Sequence, residues 1–115
     1  MSRTDPLSYV FADIYPLYVQ KAQKKNRSAN EVDEIIEWFT GYSKTEMAHK
    51  LTERVTLRDF YAQAKINPKA ALITGVICGI RVELIEDELI KNMRQLDKLI
   101  DELAKGRPME KILRV

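Results

Sequence analysis

The sequence is poor in the residues that most catalytic and turn-rich architectures need. It has one cysteine, one histidine, four glycines and four prolines in 115 residues. A lone Cys78 cannot form an internal disulfide, which fits a reducing compartment and gives the expectation of a cytoplasmic protein. A lone His49 excludes metal sites built on paired histidines, and the only Cys–His pair available is Cys78 with His49. So few glycines and prolines cannot punctuate a β-rich fold, where each hairpin needs its own turn residues. No apolar run reaches the length of a membrane span. The opening "MSRTDPLSYVF" lacks a charged head followed by an apolar core, so no secretory signal is expected there. There is no Walker loop, dinucleotide fingerprint or nucleophile elbow.

What remains is an ordinary soluble composition, with 45% hydrophobic and 31% charged residues and a formal net charge of +2. The length suits one domain over residues 1–115, with residues 1–10 expected to be loosely held. The clearest local signals are helix caps. Ser28 with Glu31 is a capping box, and "ANEVDEIIEWFT" places Val32, Ile35, Ile36 and Phe39 on one stripe. Gly41 supplies a left-handed stop with Tyr42 behind it. Ser43 with Glu46 starts "KTEMAHKLTERV", Thr56 with Asp59 starts "LRDFYAQA", and Asn67 followed by Pro68 starts another helix. "FADIYPLYVQKAQKK" reads as a helix entered at Pro16. "ELIKNMRQLDKLIDELAK" reads as a helix over residues 88–105, capped by Asp87 and about 27 Å long. Its apolar stripe is that of a bundle helix rather than a free coiled coil. Gly106 ends it and Pro108 starts a last short helix. The expected fold class is all-α: a compact bundle of about six helices with short connections and a long C-terminal helix.

"ITGVICGIRVELIED", residues 73–87, admits two readings. "IRVEL" alternates as a strand does and is rich in β-branched residues. The parallel with "WFTGYSKTEM" favours the other: a helix from Pro68 that ends at Gly79, Ile80 packing back on it, and a short helical turn over 81–86. On that reading Cys78 is an inert apolar helix residue, and Ala71, Gly75 and Gly79 form a small-residue stripe for a tight crossing or a dimer seam.

No catalytic residue, metal ligand or cofactor site is recognisable. Two sets of side chains are candidates for binding. A helix-turn-helix-like unit over 29–54 offers Lys44, Lys50 and Arg54, with Thr45 and His49, to nucleic acid, and Lys21, Lys24, Lys25 and Arg27 could meet phosphates. Against it, Glu37, Glu46 and Glu53 lie in the same unit, and charge runs are most often solvated faces. Tyr9, Phe11, Tyr15 and Tyr18 could stack single-stranded bases, or simply cover a small core. The second set is Arg81 with Glu83 and Asp87, beside Glu86 and Glu88. Those carboxylates could serve a hard cation or a small molecule, but helix-start acids also interact favourably with the dipole.

"YPLYVQKA", "EVDEIIEWFTGYS", "ITGVICGIRVE" and "LDKLIDELAKGRPMEKILR" together resemble a family of small bacterial proteins, domain of unknown function 2200, from about Phe11 to Arg114. The chain departs from the family pattern at Asn26, where the family has glycine, and at Glu88, where it has proline; neither threatens the fold. The resemblance implies a bacterial cytoplasmic protein and brings no activity, cofactor or catalytic residue. The expected function is a non-catalytic protein-interaction or self-association module. The alternatives are a nucleic-acid binder using the 29–54 unit and, last, a small-molecule site or enzyme around Arg81.

Overall fold

The capping signals translate directly into helices in the computed structural model, which describes residues 5–114. The first helix, α1, spans Phe11–Gln23, and α2 spans Ala29–Thr40 with the Ser28–Glu31 capping box formed in both directions. Between them Asn26 takes a left-handed conformation at φ +61°, which asparagine tolerates better than most residues. Gly41 at φ +74° ends α2, and the Ser43–Glu46 box starts α3, Lys44–Thr52. Thr56 caps α4, Leu57–Ala62, and Asp87 caps α5, Glu88–Ala104, through the Ile90 N–H. After Gly106 the short α6 occupies Met109–Ile112. Six α-helices among the described residues match the expected all-α class.

The helix α5 is the spine: it packs against α1, α2, α4 and α6. Its buried stripe, Met93, Leu96, Leu99, Ile100 and Leu103, meets Ile35, Ile36 and Phe39 of α2 and Phe11 of α1 in one core. Phe11 stacks on Phe60 of α4 with ring centroids 3.9 Å apart. Each such side chain contributes about 1.5–3 kcal/mol by leaving water, and aromatic pairing adds to that.

Three expectations need correction. First, α1 begins at Phe11, not Pro16; Pro16 lies inside it. No side chain caps this start. Instead the Phe11 N–H donates to the Val55 carbonyl at 2.9 Å and the Leu57 N–H to the Tyr9 carbonyl at 2.8 Å, so a distant strand-like segment satisfies the helix end. Second, residues 1–4 lie outside the described part. Within residues 5–10 the expected loose N-terminus is anchored by one side chain: Pro6–Ser8 form a 3-10 turn and Leu7 is 1% exposed, while Asp5, Ser8 and Tyr9 are exposed.

Third, residues 73–81 are not helical. The helix predicted from Pro68 is a 3-10 segment ending at Leu72. Two short strands follow, β1 at Val76–Ile77 and β2 at Ile80–Arg81, paired antiparallel with Val76 opposite Arg81 and Ile77 opposite Ile80. The turn residues Cys78 and Gly79 have φ of +52° and +78°. Positive φ at both central positions is the type I′ pattern, whose twist suits a two-residue hairpin. Gly75, at φ +112°, cannot belong to a helix either. The stripe Ala71, Gly75, Gly79 therefore does not exist as a helix face, and Cys78 is an exposed turn residue rather than a buried helical one. A 3-10 turn at Val82–Leu84 then leads to α5, as the reading over 81–86 expected.

Candidate functional site

The hairpin is held at both ends. Ile73 and Val82 flank it and are buried, and the Val82 N–H donates to the Gly75 carbonyl at 2.9 Å. The Gly75 N–H donates to Glu83 Oε1 at 3.0 Å, while Lys98 Nζ of α5 donates to the Val76 carbonyl at 3.2 Å. Between these anchors Val76 shares one face of the hairpin with Arg81 and Ile80 the other with Ile77, and both Val76 and Ile80 are exposed. Six large apolar residues are exposed among the described residues, and four of them, Leu72, Val76, Ile80 and Leu84, fall on residues 72–84. Leu84 is 70% exposed. Both strands of a two-stranded sheet are edge strands, with backbone groups left unpaired along their outer sides.

A second feature lies on the other side of Arg94. A cleft of about 200 Å³ opens between α1, α4 and α5, lined by Tyr9, Ile14, Leu57 and Met93 with Tyr18, Arg94 and Asp97 as its polar members. The Tyr18 hydroxyl donates to Asp97 Oδ1 at 2.6 Å, and Arg94 Nη1 donates to Asp97 Oδ2 at 3.3 Å. Burial is the main reason the Tyr18 hydroxyl is pushed well above the usual tyrosine range; neighbouring Tyr61 and the Asp97 carboxylate raise it further. The Tyr61 hydroxyl is also fully buried beside it, without a hydrogen-bond partner of good geometry. Arg94 Nη1 reaches Cys78 Sγ at 3.7 Å, so one guanidinium touches both the cleft and the hairpin turn.

The structure disperses the residues proposed for nucleic acid. The α2–Gly41–α3 junction forms as expected, and the outer face of α3 presents Lys44, Thr45, His49 and Thr52 over an open depression. Yet Lys44 pairs with Glu37 at 3.2 Å, Arg54 with Asp13 at 3.0 Å, and Lys50 with Gln63 while lying over the Tyr42 ring. Lys21 pairs with Asp101 at 3.3 Å. Arg27 is a structural residue: its guanidinium binds Glu31 at 2.8 Å and the Arg107 carbonyl at 2.9 Å, tying the start of α2 to the end of α5. Lys24 and Lys25 are exposed on the turn after α1. Of the aromatic set, Phe11 and Tyr18 are core residues, and the Tyr15 hydroxyl is taken by Asp33.

The Arg81 set does not converge into a pocket. Arg81 pairs with Glu83 at 2.8 Å, but its side chain is 58% exposed rather than drawn inward. The Gly75 N–H, with a smaller contribution from Arg81, holds the Glu83 carboxyl down at about 2. Asp87 is occupied as the α5 cap. Among the described residues no group of three or more His, Cys, Asp or Glu side chains is placed to hold a metal, and no helix is long and apolar enough to cross a membrane.

Sequence reasoning missed the cleft because its members come from α1, α4 and α5. The one available signal was Asp97, a carboxylate next to the apolar stripe residue Leu96 of α5 and within reach of Arg94 at i−3. The hairpin leaves a trace in the sequence as the alternation in "IRVEL", of which Ile80 and Arg81 form β2 and Val82–Leu84 the following 3-10 turn.

The comparisons with known proteins agree with this architecture. The model of the family described as uncharacterized protein conserved in bacteria (DUF2200) matches residues 7–114. The crystal structure of uncharacterized protein SP1917 is similar, with a TM-score of 0.89 and 36% identity over 99% of this chain and 95% of that one. No curated protein matches the chain.

Proposed function

The chain belongs to this family of uncharacterised bacterial proteins, and on that premise we propose that it is a non-catalytic self-association module whose interface is the hairpin segment 72–84. The observation that carries the reading is the concentration of exposed large apolar side chains, Leu72, Val76, Ile80 and Leu84, on a segment pinned by the buried Ile73 and Val82, with Val76 and Ile80 on opposite faces of the hairpin. Exposure there is built into the fold and does not come from a loose loop. Exposed apolar side chains concentrated on one folded segment favour an interaction site, and free strand edges add backbone hydrogen bonds to the attraction.

A second copy is the occupant that fits best. Arg81 and Glu83 sit beside the apolar set with opposite charges. Because they pair with each other within one chain, they leave no unpaired charge at the rim of a two-fold interface, where the same segment of each copy meets. Nucleic-acid binding is the weaker reading, because Lys44, Arg54 and Lys21 each already face a carboxylate.

Sedimentation velocity over a concentration series tests this. The wild-type protein is expected to sediment as a dimer that dissociates on dilution, and Val76→Lys with Ile80→Glu to sediment as a monomer. A wild-type chain that is monomeric throughout, or a dimer untouched by those substitutions, contradicts the reading.

A further inference from the structure

The cleft between α1, α4 and α5 joins an apolar wall to a charge pair, and it stands independently of the association proposed above. Its wall is made of Ile14, Leu57 and Met93, with Tyr9 at the mouth. Its charged members, Arg94 and Asp97, retain about a quarter of their side-chain surface, at 26% and 24%. A solvent-reachable pair of opposite charges at the edge of an apolar hollow is a different object from a buried structural ion pair. It can exchange part of its hydration for a ligand.

The bonding capacity left over defines that ligand. Asp97 Oδ1 accepts from Tyr18 and Oδ2 from Arg94, but a carboxylate offers about four acceptor sites, so roughly two remain. Arg94 spends Nη1 on Asp97 and Cys78, while Nε and Nη2 carry no hydrogen bond among the described residues. Those two nitrogens form the planar fork that matches a carboxylate in bidentate fashion. A ligand carrying only a carboxylate would bring its charge against Asp97. One carrying only an amine would bring its charge against Arg94. A zwitterion satisfies both groups and leaves the net charge of the cleft unchanged.

Size narrows the choice further. At about 200 Å³ the hollow is smaller than the roughly 300–1,000 Å³ pockets that hold drug-sized molecules. We propose that this cleft binds a free apolar α-amino acid, with its carboxylate on Arg94 Nε and Nη2, its ammonium on Asp97 and its side chain against Ile14, Leu57 and Met93. Tyr18 is a positioning residue, since its hydroxyl fixes Asp97 from within the core.

Titration calorimetry of the full chain with L-leucine, L-methionine and L-phenylalanine, and with isocaproate and isoamylamine as the analogues of leucine lacking amine or carboxylate, tests this. At least one amino acid is expected to bind saturably, and each leucine analogue to bind at least about tenfold more weakly than leucine. Arg94→Gln, at a partly exposed position where circular dichroism should remain that of the wild type, is expected to weaken amino-acid binding by about tenfold or more, with Arg94→Lys intermediate. Absence of saturable binding for all three amino acids at millimolar concentration overturns the proposal. So does isocaproate or isoamylamine binding as tightly as leucine, or unchanged affinity in a folded Arg94→Gln variant.

Discussion

The hydroxyl of Tyr18 and the Oδ1 of Asp97 lie 2.6 Å apart although 79 residues separate them in sequence. This bond ties α1 to α5 at the floor of the cleft. Removing the hydroxyl in Tyr18→Phe leaves a carboxylate oxygen with one donor fewer in a partly buried place. We expect about 1–3 kcal/mol of destabilisation, measured by urea denaturation. In an Asp97→Asn background the same substitution should cost clearly less, because the two groups act as one pair.

Glu31 predicts how stability depends on acid. Arg27, with the Ser28 N–H second, lowers its carboxyl from 4.5 to about 2. A carboxyl whose folded pKa is depressed contributes stability that is complete above its unfolded pKa. That contribution fades as pH falls through the folded one. The wild-type protein should therefore lose stability between about pH 4.5 and 2. Glu31→Gln should be less stable near neutrality and show a flatter profile across that window, read as thermal midpoints at a series of pH values.

Two left-handed glycines should respond unequally to alanine. A Cβ on Gly41 would meet the Lys65 carbonyl oxygen at 3.0 Å and Lys65 Cβ at 3.2 Å, whereas one on Gly106 would meet nothing within 4 Å. Both substitutions carry a left-handed penalty of about 1–2 kcal/mol. Only Gly41→Ala adds steric pressure on a backbone atom, so it should lower the unfolding midpoint more than Gly106→Ala does.

The hairpin also makes a chemical prediction. Cys78 is exposed at the turn, with φ +52°. At concentrations low enough to keep the chain monomeric, it should react stoichiometrically with a thiol reagent, at a rate close to that in denaturant. Strong protection that persists at those concentrations would restore the buried-helix reading of this segment.

These cases show which parts of the fold the sequence makes legible. Ser28–Glu31, Ser43–Glu46, Thr56–Asp59 and Asp87 act through bonds spanning three residues, so their helices could be read locally. The start of α1 could not, because its first N–H, that of Phe11, is satisfied by the Val55 carbonyl, far along the chain. The segment around Gly75 and Gly79 is ambiguous in sequence, because glycine ends helices and also makes I′ turns. What distinguishes the two here is long-range: Lys98 and Glu83 hold the backbone of Val76 and Gly75 in place. The cleft was invisible for the same reason, since Tyr18 and Asp97 meet only through tertiary packing. Of the candidate basic residues, the sequence showed charge but not the carboxylates opposite, such as Asp13 for Arg54.

Amide hydrogen exchange at low and high protein concentration tests the central claim most directly. The account predicts that raising the concentration slows exchange in residues 72–84, while the amides of α3 are unaffected. Concentration-dependent protection of a different surface, or none anywhere, would contradict the hairpin as the self-association interface.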